Sequence, residues 1–250
     1  GSRRARHKGA LSRTATHFRR RGSSMKLVGN LHAYVWEGND NNCNSYALAG
    51  VMPGGKHLLV DPGHIHTPYF REPALDRLKS SMAADGVDPG AVGLVVLTHF
   101  HPDHCEAAGV FRKESGARVA IHQDEEAFYR GFGGELDQVL KEGELELGGE
   151  ERGALPLQII HSPGHSPGHI TIYCPEQKAL IAGDVIFYRS TGRVDLPGGS
   201  GRALKASIEK LAELQIDYLL CGHAYGHSGV IEGEQEVREN FEFLRRHVLS

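Results

Sequence analysis

The chain has 250 residues, 40% hydrophobic, 24% charged and 7% aromatic, with a formal net charge of −3. This composition is that of a globular protein with enough chain for a substantial core, and it excludes collagen-like, low-complexity and wholly disordered classes. No apolar run approaches the roughly 18 residues a membrane span needs. Four separated cysteines, Cys43, Cys105, Cys174 and Cys221, form no C-x-x-C and indicate neither a disulfide framework nor a cysteine zinc knuckle. A soluble, cytoplasmic protein is expected. The unusual count is sixteen histidines, because histidine is the commonest metal ligand.

Charge is unevenly spread. The first 24 residues hold eight of the 28 basic side chains and no acid, so residues 25–250 carry 20 basic against 31 acidic groups. Such a block suits a nucleic-acid or membrane tail, or an Arg- and Ser-rich transit peptide; with no apolar stretch it is not a secretory signal. The Gly-Ser opening and the internal Met25 favour an appended, unstructured leader over 1–24, followed by one domain over 25–250. Its removal is expected to leave the fold intact. The acidic body is a poor match for polyanions.

From Met25 onward short strands alternate with amphipathic helices. Strands are expected at 27–36 and 43–48, joined around the Asn39-Asp40-Asn41-Asn42 turn as a hairpin, and at 56–60 ending in Asp61-Pro62-Gly63. Leu75, Leu78 and Met82 recur at helical spacing and Gly86 offers a stop. An apolar strand at 93–97 leads to a helix at 103–114 and a strand at 117–121. Further strands are expected at 157–160, 170–174, 179–182 and 218–221. Leu204, Ile208 and Leu211 mark one late helix; Val237, Phe241, Leu244 and Val248 mark the last. This mixture predicts a layered α/β domain whose function lies where strands end.

Two catalytic signatures are excluded. Residues 50–56 spell G-x-x-x-x-G-K, but His57 stands where a phosphate-binding loop needs Ser or Thr, and a strand follows instead of a helix. A tight turn between strands explains these glycines. No G-x-S-x-G occurs, so a serine hydrolase has no nucleophile elbow.

The chemistry gathers in four segments. Thr98-His99-Phe100-His101-Pro102-Asp103-His104 follows an apolar strand. In extended chain alternate side chains share a face, so His99 and His101 can grip one ion, while Asp103 and His104, in the first turn after Pro102, reach a second. Asp103 with Glu106 also reads as a helix capping box. The second segment, Ser162-Pro163-Gly164-His165-Ser166-Pro167-Gly168-His169, is a rigid loop by its Pro-Gly turns. The others are Gly183-Asp184 and Gly222-His223, each at a strand end. Singly these would be turn or surface residues; together they point to a metal site.

In this order, these motifs resemble the metallo-β-lactamase fold superfamily, over most of the chain beyond the leader. The finer resemblance is to the glyoxalase II-like (hydroxyacylglutathione hydrolase-like) branch, carried by Asn44-Ser45-Tyr46, by Asp61-Pro62-Gly63, by the doubled Pro-Gly-His, and by residues 192–199, Gly-Arg-Val-Asp-Leu-Pro-Gly-Gly. The resemblance implies an αββα sandwich of two mixed β-sheets flanked by helices. It implies that His99, His101 and His165 hold one metal, that Asp103, His104 and His223 hold another, and that Asp184 bridges them. His169 and Asp61 would support ligands from behind, Asp61 through a ligand's other ring nitrogen. Cys105 and Cys221 would be buried hydrophobes. The roles of His64, His66, His161 and His227 stay open.

The activity implied is a metal-dependent hydrolase, cleaving a thioester or small ester by metal-bound hydroxide, with Asp103 holding the nucleophile. Two divalent ions are expected, Zn²⁺ first, with Fe²⁺ or Mn²⁺ as alternatives. Alternative activities are a persulfide dioxygenase with one iron on His99, His165 and Asp184, and an acyl-homoserine-lactone lactonase. A scaffold without activity is disfavoured by the intact ligand set. The partner is a small-molecule substrate, with no nucleic acid and no membrane, and a homodimer stays open. The chain departs from glyoxalase II after His223, where only 27 residues remain. Gly222-His223-Ala224 also replaces the family's usual Gly-His-Gly.

Overall fold

A computed structural model describes residues 24–145, 147 and 155–249. The leader expected over 1–24 lies outside them except for Ser24. That residue opens the first strand, and its hydroxyl donates to Asp85 Oδ1 at 3.1 Å.

The first sheet runs in chain order: β1 (Ser24–Val28), β2 (Leu31–Tyr34), β3 (Ser45–Met52), β4 (Lys56–Val60), β5 (Val92–Val96), β6 (Arg118–His122) and β7 (Gln138–Leu140). Its pairings are antiparallel through β4 and parallel from there on. The second sheet has the order β15-β14-β11-β10-β9-β8, from β8 (Gly143–Glu144), β9 (Gln158–His161), β10 (Ile170–Cys174), β11 (Ala179–Gly183), β14 (Tyr218–Cys221) and β15 (Val230–Glu232). Only its β11–β14 pair is parallel. A small hairpin of β12 (Ile186–Phe187) and β13 (Ser190–Thr191) stands apart. The helices are α1 (Ala74–Ala84), α2 (Pro102–Cys105), α3 (Ala108–Ser115), α4 (Glu126–Gly131), α5 (Gly201–Leu211) and α6 (Glu234–His247).

Strand alternation assigns the layers. Leu58, Val60, Leu94 and Val96 pack inward against Ile159, Ile170, Ile172 and Ile181 of the facing sheet, forming the central core. Their neighbours Leu59, Val95 and Leu97 face outward onto Leu75, Leu78 and Met82 of α1 and Phe111 of α3. Across the molecule, Leu180, Ala182 and Leu219 meet Leu204, Ile208 and Leu211 of α5 and Val237, Phe241 and Leu244 of α6. Strands buried on both faces explain why 92–96 reads as an unbroken apolar run. The result is the expected αββα sandwich of two mixed sheets.

Several elements differ from expectation. The strand foreseen at 27–36 is two strands, because Gly29 takes φ 53° and turns β1 back on β2. The strand foreseen at 43–48 starts later and runs on to Met52. The helix foreseen at 103–114 is α2 and α3, separated at Glu106–Ala107. Its capping box does not form: the N-cap is His101, with no side-chain cap, while Asp103 and Glu106 turn to other partners. The short β7, β8, β12, β13 and β15 and the helix α4 lacked a periodic signal. The G-x-x-x-x-G-K stretch is the β3–β4 turn, with Gly54 and Gly55 both at φ 71°.

Candidate metal centre

The four segments converge at one rim of the sandwich, where β4, β5, β11 and β14 end. Asp61, at the end of β4 with φ 51°, is 2% exposed, and its carboxylate accepts three hydrogen bonds. Oδ1 accepts from the Thr98 amide at 2.8 Å, and Oδ2 accepts from Thr98 Oγ1 at 2.7 Å and His104 Nδ1 at 2.8 Å. With Nδ1 committed to Asp61, His104 turns its Nε2 lone pair inward. His99 Nδ1 meets Thr98 Oγ1 at 3.0 Å, so its Nε2 also points inward.

The other histidines are held by backbone carbonyls. His165 Nδ1 donates to Arg193 O at 2.7 Å and His223 Nδ1 to Asn42 O at 3.0 Å, which frees both Nε2 atoms. The outer hydrogen bond of a ligating histidine fixes its tautomer in this way. His101 is the exception and points Nδ1 inward.

Three overlapping donor groups result, one of which, His99, His104 and Asp184, joins the other two. In the first, His99, His101 and His165 meet, with His101 Nδ1 and His165 Nε2 2.9 Å apart. In the second, Asp103, His104 and His223 meet; His223 Nε2 is 3.3 Å from both His104 Nε2 and Asp103 Oδ2. Asp184 stands between them. Its Oδ2 is 3.5 Å from His165 Nε2 and 3.4 Å from His223 Nε2, and its Oδ1 is 3.2 Å from His104 Nε2. Ligands on a tetrahedral ion at about 2.05 Å stand about 3.3 Å apart, close to these separations.

Two observations test whether metal ions suit the site. His99 Nε2 and Asp184 Oδ1 are buried without a hydrogen-bond partner, and unpaired buried polar atoms are costly. The electrostatics agree. Burial drives His99 well below its ordinary pKa and His101 down to about 4, leaving neutral imidazoles with lone pairs to give. Burial opposes charge on His104 and His223 as well. There Asp184, with Asp61 on one side and Asp103 on the other, overcomes it and raises both to about 10. The carboxylates demand positive charge, which divalent ions supply while displacing protons. The residues fit the group.

His169 is fully buried and joins neither set. Its Nε2 accepts the Asp184 amide at 3.1 Å and its ring stacks on His99. His161 also lies in neither: Nε2 meets Pro167 O at 3.1 Å and the ring stacks on His122. A further group, His122, Asp124 and His161, has its atoms close enough for an ion. Its two rings lie 13° from parallel, however, so no ion can lie in both ring planes. His64 pairs with Glu106, and His227 stacks on Tyr188. Cys105 and Cys221 are buried, and burial pushes both thiols up, away from the thiolate a metal needs.

A cavity of about 500 Å³ opens over the cluster, walled by His101, Asp103, His165, Asp184 and His223 with Phe187, Arg193 and Tyr225. The sequence reading missed Glu125, which is completely buried and hydrogen-bonded to both the segment after β5 and the Pro-Gly-His loop. It also missed Asn41, whose amide donates to Asp103 Oδ2 at 2.8 Å.

Relatedness to known proteins agrees with this geometry. Residues 38–223 match the family model of the metallo-beta-lactamase superfamily. The probable metallo-hydrolase YqgX of Bacillus subtilis is 31% identical over 186 residues, 66% of this chain and 79% of that protein. The hydroxyacylglutathione hydrolase GloC of Haemophilus influenzae is 31% identical over 159 residues, 59% of this chain and 74% of that protein. The crystal structure of TTHA1623 in a di-iron-bound form superposes with a TM-score of 0.56 at 29% identity, covering 73% of this chain and 88% of the other. The chain belongs to the metallo-beta-lactamase superfamily, as a relative of its metallo-hydrolases.

Proposed function

We propose that the protein is a dinuclear hydrolase of thioesters or small esters, glyoxalase II-like in chemistry. One observation carries the reading: a single buried carboxylate, Asp184, lies within 3.5 Å of a histidine from each of two complete donor sets. His99, His101 and His165 would hold one ion, Asp103, His104 and His223 the other, and Asp184 would bridge. Likeness to GloC supports thioester cleavage, and likeness to the di-iron form of TTHA1623 supports two ions.

When bound, the ions supply Lewis acidity, lowering the pKa of water toward about 7 and polarising a carbonyl oxygen. The chain's own groups do the rest. Asp103, steadied by the Asn41 amide, borders the cavity where it orients the attacking water by accepting one of its protons in a hydrogen bond. The His165 and His223 rings cannot rotate away, because Arg193 O and Asn42 O hold them. Phe187 and Tyr225 pack edge to face at 5.2 Å and form one wall of the cavity.

The test is metal counting on protein purified without added metal, alongside thioester hydrolysis and an oxygen electrode with glutathione persulfide. About two ions per chain and thioester cleavage without oxygen uptake are expected. One iron per chain with oxygen uptake and no thioester cleavage would replace this reading with the dioxygenase. Asp103→Asn should lose one of the two ions and most of the turnover, since a neutral amide is a poor ligand. The register of the Pro-Gly-His loop has its own check. His165→Ala should lower metal content and activity together, whereas His161→Ala should leave metal content unchanged; the reverse would move the ligand to His161.

A further inference from the structure

Glu125 sits in the turn between β6 and α4, completely buried, and its hydrogen bonds go to none of the seven residues assigned to metal. Oε2 accepts the Phe100 amide at 3.0 Å; Oε1 accepts Ser166 Oγ and the Gly168 amide, both at 2.6 Å. Phe100 lies between His99 and His101, Ser166 follows His165, and Gly168 precedes His169. One carboxylate therefore ties the strand-end segment to the Pro-Gly-His loop. These segments have no sequence proximity, yet must hold three nitrogens at one point.

We infer that Glu125 is a positioning residue that sets the spacing of the first donor set, His99, His101 and His165, while leaving the second untouched. The inference rests on the metal reading proposed above. Three donors converge on Glu125, so only a group accepting at both oxygens satisfies them. Burial disfavours its charge, and the three hydrogen bonds offset part of that cost. The second set has a buried carboxylate in Asp61, which meets His104 directly and reaches the first set only through Thr98 Oγ1 on His99. A Glu125→Gln side chain has the same shape but turns an NH₂ toward at least one donor. The donors then repel it, and the two loops separate by the little that matters to an ion.

The experiment titrates chelator-treated protein with Co²⁺, read by its visible absorption, in two backgrounds. His223→Ala leaves the first donor set intact and His165→Ala leaves the second. Adding Glu125→Gln should weaken Co²⁺ binding about 10–100-fold in the His223→Ala background and by less than about threefold in the other. Melting of the metal-free protein should stay near the parent value. Ser166→Ala, which removes one of the three donors, should shift the same background in the same direction by a smaller factor, and it keeps the test open should Glu125→Gln not fold. Equal weakening in both backgrounds, or lower melting with unchanged Co²⁺ affinity, would make Glu125 merely structural and overturn the inference. Unchanged affinity for Ser166→Ala in the His223→Ala background would do the same. Parent protein that binds no Co²⁺ would instead remove the metal reading on which the inference stands.

Discussion

Replacing Asp184 with asparagine should lower kcat/KM by about 10²–10⁴-fold and deplete both metal ions together. Asp184 is 6% exposed and faces His104, His165 and His223. Removing one partner from a buried charge cluster costs about 3–5 kcal/mol, and each 1.36 kcal/mol is about tenfold in rate. The asparagine side chain keeps the shape and the packing on Gly222 but is neutral and a poorer ligand than a carboxylate. The double loss of metal is the distinguishing outcome, because a ligand of only one set would deplete one ion. Asp217→Asn is the control: that carboxylate meets Lys178 at the surface, 3.7 Å away, and its loss should change activity negligibly. Retention of either ion at full occupancy in Asp184→Asn would show that the carboxylate is not shared.

The largest effect on stability is expected from Gly164→Ala. Gly164 has φ 142°, and a Cβ there would stand 2.3 Å from the backbone N and Cα of Leu204 in α5. Backbone strain adds about 1–3 kcal/mol and overpacking about as much again. For a domain of this size the sum lowers Tm by about 5–20 °C. The placement of neighbouring His165 should suffer too, because Gly164 O accepts the Ser200 amide at 2.7 Å and thereby docks the His165 loop on the N-terminus of α5. Gly201→Ala is the matched control. Its Cβ would meet only Val194 Cγ2 at 3.8 Å, so Tm should hold or rise slightly, alanine being the better helix former. Thermal melting of both variants decides it. An unchanged Tm for Gly164→Ala would mean that the loop and α5 can part at little cost.

Local chemistry made much of the fold readable from the residues alone. The run 92–96 is apolar throughout because both its faces are buried, one on the opposite sheet and one on α1 and α3. The helices α1, α5 and α6 announced themselves because each buries one stripe at helical spacing. The donor residues were readable for a different reason. Histidine, aspartate, proline and glycine at strand ends have few structural uses in such density, and alternation alone puts His99 and His101 on one side.

Tertiary structure decided the rest. The break between α2 and α3 depends on Ala107 N donating to Gly63 O, across 44 positions of chain, which no helical periodicity can anticipate. The failed capping box has the same origin: distant partners, Asn41 and His223 for Asp103 and His64 for Glu106, prevail over a local hydrogen bond. Short β8, β12, β13 and β15 exist through pairing rather than propensity. Glu125 reads as an ordinary surface acid next to Asp124 and Glu126, and only the fold buries it beneath the segment after β5 and the Pro-Gly-His loop. By itself the sequence determined which atoms were available as ligands and on which layered framework they stand. Only the packing of two sheets decided which histidines among the described residues face one another, because that depends on buried carboxylates and carbonyls contributed from far along the chain.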